Sequence, residues 1–93
     1  MACKKEIMEY YLEALNDASI TARSMMGGYC IYKDGTLIGG IYQDRLMFKQ
    51  TEKLKSFLGD YILETPYEGS KQKLILIENT DNEAFMRELA QYL

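Results

Sequence analysis

The 93-residue sequence has no histidine, no tryptophan, one proline and two cysteines. Without histidine no Ser-His or Cys-His nucleophile pair can form, and the commonest metal ligand is missing. Cys3 and Cys30 make neither a C-x-x-C pair nor a zinc signature, and two cysteines are a thin disulfide framework. A reduced, cytoplasmic setting is the simpler reading. The one glycine pair followed by an aromatic, GGY, is neither of the phosphate-cradling patterns. Acids outnumber bases 14 to 11, for a net charge of −3, and acidic residues interleave with the mild basic clusters at Lys4-Lys5 and Lys53-Lys55. That balance argues against direct nucleic-acid binding, which needs a basic stripe. No apolar run approaches the roughly 20 residues that a bilayer demands. Lys4-Lys5 is followed at once by Glu6 and Glu9, unlike a signal peptide. These absences predict a non-enzymatic protein with no metal, no cofactor and no membrane span.

Apolar residues, at 47%, are numerous enough for a packed core, and the length suits one domain over residues 1–93. A core this small gains from association with a second copy. Eight tyrosines form a skewed aromatic set of the kind that sits half-buried, with the ring packed and the hydroxyl wet.

The spacing predicts a helix over residues 4–17. Ile7, Met8, Tyr11, Leu12 and Leu15 share one stripe, and Glu9 and Glu13 lie on a solvated face. Tyr29–Tyr32 is β-prone, and Lys33-Asp34-Gly35 gives a tight turn. A second strand follows over Thr36–Tyr42, then a short turn at Gln43-Asp44. A third strand over Arg45–Lys49 alternates Leu46 and Phe48 against Met47. Thr51 caps a short helix that Gly59 ends. The lone Pro66 makes the segment over residues 61–68 an edge strand or a strand end. Lys73–Ile77 reads as a strand covered on both faces, and Thr80 with Glu83 fits a capping box before a last helix. The order α-β-β-β-α-β-β-α predicts an α+β domain of two layers, with helices covering one face of an antiparallel sheet.

Residues 23–35, RSMMGGYCIYKDG, pose the main question. Glycine in a strand is costly unless a neighbour comes close or the strand bends. Pairing across Asp34-Gly35 puts Gly28 opposite Gly40 or Ile41. The glycines either permit sheet curvature and helix packing or leave a notch for a partner group. The run Arg23-x-Met25-x-Gly27-Gly28-Tyr29-x-Ile31-Tyr32-x-Asp34-Gly35, followed by Asp44-Arg45-Leu46-x-x-Lys49, resembles the TfoX N-terminal domain family. Members commonly read R-x-M-F-G-G-Y-G-[IL]-Y-x-D-G and then D-x-L-Y-L-K. Pro66-Tyr67 matches a further Pro-aromatic step. Met26 replaces the family's phenylalanine, Cys30 its second glycine and Met47-Phe48 its Tyr-Leu. The resemblance implies a secretion-chaperone-like α+β fold, frequent homodimerisation, and a link to bacterial competence and transcription regulation through partner proteins.

Arginine beside methionine and tyrosine is an interface composition. Arg23, Met25, Met26, Gly27, Gly28, Tyr29 and Tyr32 are therefore the candidate interaction residues. Cys30, on a strand between tyrosines, reads as a small buried hydrophobe. The alternative function is a small-ligand site in the glycine- and tyrosine-lined groove.

Overall fold

A computed structural model describes residues 5–25 and 27–93; Cys3 and Met26 lie outside them. Among these residues are three helices, α1 (Lys5–Leu15), α2 (Glu52–Leu58) and α3 (Glu83–Ala90). Six strands accompany them: β1 (Ile20–Met25), β2 (Gly28–Lys33), β3 (Thr36–Tyr42), β4 (Arg45–Phe48), β5 (Ile62–Glu64) and β6 (Leu74–Ile77). The strands form one antiparallel sheet in the order β1-β2-β3-β4-β6-β5. The α+β class holds, with helices against one face of the sheet and β5 on an edge as the proline implies.

The structure adds one strand to the expected order. β1, ITARSM, is largely exposed beyond Ile20. Its Ala, Arg and Ser lack the β-branched alternation that marks a half-buried strand, so propensity does not reveal it. It exists because the backbone of β2 offers a ladder. Met25 pairs with Gly28, so two residues separate the strands, and the second, Gly27, takes φ 78°. A positive φ at that place is what a two-residue hairpin demands and glycine supplies. The next two hairpins turn the same way, at Asp34-Gly35 (φ 51° and 82°) and at Gln43-Asp44 (φ 52° and 64°). In the last of these the Tyr11 hydroxyl donates to the Asp44 carbonyl at 2.8 Å, tying α1 to the turn.

The expected register between β2 and β3 is corrected by one residue. Lys33 pairs with Thr36 and Tyr32 with Leu37, but a bulge then intervenes and Ile31 pairs with Gly39. Ile38 is the extra residue, and its carbonyl accepts from the Lys49 amide at 2.8 Å. The slip carries Gly28 to a place opposite Tyr42 rather than Gly40 or Ile41. Bulges add twist and bend the strand, so the bend and the glycines occur together.

The helix side of the sheet holds Ile20, Ile31, Ile41, Leu46, Phe48, Ile75 and Ile77, with Leu15, Leu54, Met86 and Leu89 from the helices. Phe57 of α2 stacks on Tyr92 at 4.5 Å between centroids and lies 5.7 Å from Phe85, which clamps α2 to α3. Lys33 donates to the carbonyls of Ala90 and Leu93, both at 3.2 Å, and so meets the negative end of α3. Thr51 caps α2, accepting from the Leu54 amide at 3.2 Å. The cap of α3 is Asn82, which accepts from Phe85, and not Thr80. Asparagine caps as well as threonine and here sits immediately before the residues whose stripe faces the core.

The strand glycines are filled from within the chain. A Cβ on Gly39 would strike the Met47 carbonyl and lie 2.7 Å from the Phe48 ring. One on Gly40 would lie 2.6 Å from the Tyr29 carbonyl and 2.7 Å from the Tyr42 hydroxyl. Gly28 is held against the carbonyl of Ile41. Over-packing of this kind predicts that Gly39→Ala costs about 3 kcal/mol. Gly35→Ala, whose Cβ meets open space, costs only the left-handed backbone penalty of about 1 kcal/mol. Urea denaturation of both variants checks the order, and a reversed order refutes the close approach at Gly39.

Candidate functional site

Side chains alternate along each strand, so the residues between the core positions line the opposite face of the sheet. On β1 and β2 these are Thr21, Arg23, Met25, Cys30 and Tyr32; on β3 and β4, Leu37, Tyr42, Arg45 and Met47. Among the described residues no helix lies on this face. Part of it is covered by the segment between β5 and β6, whose Pro66 is buried. Under that segment Met47 is fully buried and Leu74 nearly so, although neither belongs to the helix-side core.

The candidate residues divide between the two faces. Arg23 and Met25 are exposed on the open face, and Tyr32 is half-buried beside them, paired across the ladder with Thr21 and Leu37. Gly27 forms the hairpin and Gly28 the close-packed start of β2. Tyr29 faces the other way and packs against the helix-side core. Met26 is outside the described residues. Cys30 is a free thiol, half-buried rather than enclosed, and its Sγ donates to the Met25 Sδ at 3.1 Å.

Beside these residues is a cavity of about 230 Å³ walled by Met25, Cys30, Leu37, Tyr42, Pro66 and Tyr67. The Tyr42 ring leans over Gly40 and lies 6.2 Å from the Tyr67 ring. Burial pushes the Tyr42 phenol above its ordinary value, helped by the nearby Cys30 and Tyr67. The phenol therefore stays neutral and can donate a hydrogen bond throughout the physiological range. Among the described residues no group of three or more Cys, Asp or Glu side chains could hold a metal ion. None of their helices is long and apolar enough to cross a membrane.

A comparison with protein-family models matches residues 11–87 to the TfoX N-terminal domain. The chain belongs to that family. Searches of curated proteins and of solved structures return no match. The match to the TfoX N-terminal domain runs from α1 to within α3 and so takes in all six strands and the segment over the open face. In this TfoX N-terminal domain the motif glycines and Asp34-Gly35 are hairpin and close-packing residues. Of the motif's side chains on the open face, Arg23 and Met25 are exposed and Tyr32 is half-buried. Reasoning from sequence missed Tyr42, Tyr67 and Leu37 as a group. The readable signals were the alternation of Tyr42 with Gly40 and the Pro66-Tyr67 step.

A raised phenol pKa has a definite sign in stability. Below about pH 10 Tyr42 is protonated in both the folded and unfolded chain and contributes no slope. Above that value the unfolded chain loses the proton first, so folding stability falls as pH rises. Tyr42→Phe is expected to lessen the loss of stability as pH rises above about 10 while changing little at pH 7. Denaturant titrations at both pH values check this, and an unchanged alkaline slope refutes it.

Proposed function

We propose that the chain is a non-enzymatic protein-interaction domain that works as a homodimer. It serves competence or transcription regulation through a protein partner, in keeping with its family. The observation that carries the reading is the outer edge of β1. Among the described residues no strand pairs with it. The Asp34 amide donates to the Ser19 carbonyl at 2.9 Å, which sets the phase of the ladder. Alternation then turns the backbone groups of Ala22 and Ser24 outward, while the amide of Ile20 already donates to the Asp17 carbonyl at 3.0 Å. Natural edges are blunted by proline, charged side chains, bulges or brevity. This six-residue strand has no proline and no bulge, and Arg23 is its one charged residue. A second copy laid antiparallel along it would continue the sheet. Arg23, Met25 and Tyr32 would then border the seam on the open face. The net charge of −3 supports a protein partner over a nucleic acid.

Ala22→Pro removes one outward donor and breaks no ladder bond to β2. It is expected to give a folded monomer where the parent chain is a dimer, as read by light scattering with circular dichroism. A parent chain that stays monomeric at high concentration refutes the reading.

A second reading, a small-ligand site, is favoured by the cavity beside Tyr42 and Tyr67.

A further inference from the structure

The cavity beside Tyr42 does not stand alone. A second depression, of about 320 Å³, shares Lys49, Gln72 and Leu74 with it and adds Gln50 and Lys73. One half of the resulting trough is apolar and aromatic, and the other is lined by Lys49, Gln50, Gln72 and Lys73. Neither half has an aspartate or glutamate among its described lining residues. The chain has 14 acids, and two depressions elsewhere do contain them: Glu13 and Glu83 in one, Asp60 and Glu78 in another. Among the described residues neither Lys49 nor Lys73 makes an ion pair.

The trough is also pre-formed. The Gln50 side-chain amide donates to the Lys73 carbonyl at 3.0 Å, which holds the end of β4 against the approach to β6. The covering segment is closed on itself. The Ser70 amide donates to the Tyr67 carbonyl at 3.1 Å, and the Ser70 hydroxyl bonds both the carbonyl and the amide of Gln72. A wall fixed in this way loses little entropy on binding.

We propose that this trough binds a small amphipathic acid, with an aromatic or short aliphatic body in the apolar half and one carboxylate between Lys49 and Lys73. The inference rests on the ligand-site reading above and adds the class of ligand. A dry cavity of about 150 Å³ accepts benzene, so about 230 Å³ accepts a ring with a short chain. The two halves together lie in the range of roughly 300–1,000 Å³ typical of small-molecule sites. Leu37, Pro66 and Leu74 supply apolar contact and Tyr42 and Tyr67 supply rings. A charge-assisted pair to ammonium sets the orientation.

The test is a titration of the isotope-labelled chain with 4-phenylbutyrate and with its neutral counterpart 4-phenylbutanol, followed by amide NMR shifts. The acid is expected to give saturable shifts over residues 37–42 and 66–74, and to bind about tenfold more tightly than the alcohol, as one added charge pair implies. The exposed double substitution Lys49→Gln with Lys73→Gln should bring the acid down to the alcohol's affinity and leave the alcohol's unchanged. Equal binding of acid and alcohol in the parent chain, or acid binding indifferent to the double substitution, overturns the proposed ligand class and spares the ligand site. Saturable shifts from neither compound at millimolar concentration overturn the class and the site together.

Discussion

The fold depends on how closely β3 lies between β2 and β4. Gly39 and Gly40 leave no space that a methyl group could take, because carbonyls of Met47 and Tyr29 and rings of Phe48 and Tyr42 already occupy it. On one face the gap lets Phe48 seat fully in the helix-side core. On the other it lets the Tyr42 ring lean over the sheet and form a wall of the cavity. A single backbone feature, a bulge at Ile38 followed by two glycines, therefore shapes both the core and the candidate site. The glycine motif is in the first instance a packing device. The space it creates is taken up by the chain's own rings, and what remains for another molecule lies beside those rings.

The two faces of the sheet are finished differently. The helix side closes through Leu and Ile contacts, the stack of Phe57 on Tyr92, and the reach of Lys33 to the end of α3. Among the described residues, the open side is covered only where the segment carrying Pro66 and Tyr67 crosses it. Of the seven exposed large apolar residues among those described, four lie on or around that side: Met25 and Leu37 on the sheet, Ile62 on the edge, and Tyr67 on the covering segment. Exposed apolar groups gathered near unpaired backbone are where association is expected. Both proposals, a second copy along β1 and a small acid in the trough, draw on this one asymmetry. They use different parts of it and share only the border at Met25.

Much of this was legible in the residues. The stripe of α1, the caps Thr51 and Gly59, the turns at Asp34-Gly35 and Gln43-Asp44, and the split of Leu46 and Phe48 from Met47 are local patterns with local causes. Periodicity fixes which face is buried, and turn chemistry fixes where a strand ends. Three features were not legible. β1 carries no apolar alternation because it lies at an edge and needs only a neighbour's backbone. The bulge at Ile38 leaves no mark on the pattern, since it shifts pairing by one residue without changing composition. Asn82 displaced Thr80 as the cap because helix packing, rather than the cap motif, selected the first turn.

Sequence alone determined the family, the α+β class and the helix-facing core, because each is written in residues close together along the chain. It also determined that no histidine-based chemistry is possible here. Only the tertiary structure decided that Tyr29 turns inward while Arg23, Met25 and Tyr32 turn outward. It alone joined Lys49 to Lys73 and Tyr42 to Tyr67 along one trough free of acids. Those groupings depend on strand register and on a covering segment that crosses the sheet, and neither is set by neighbours in sequence.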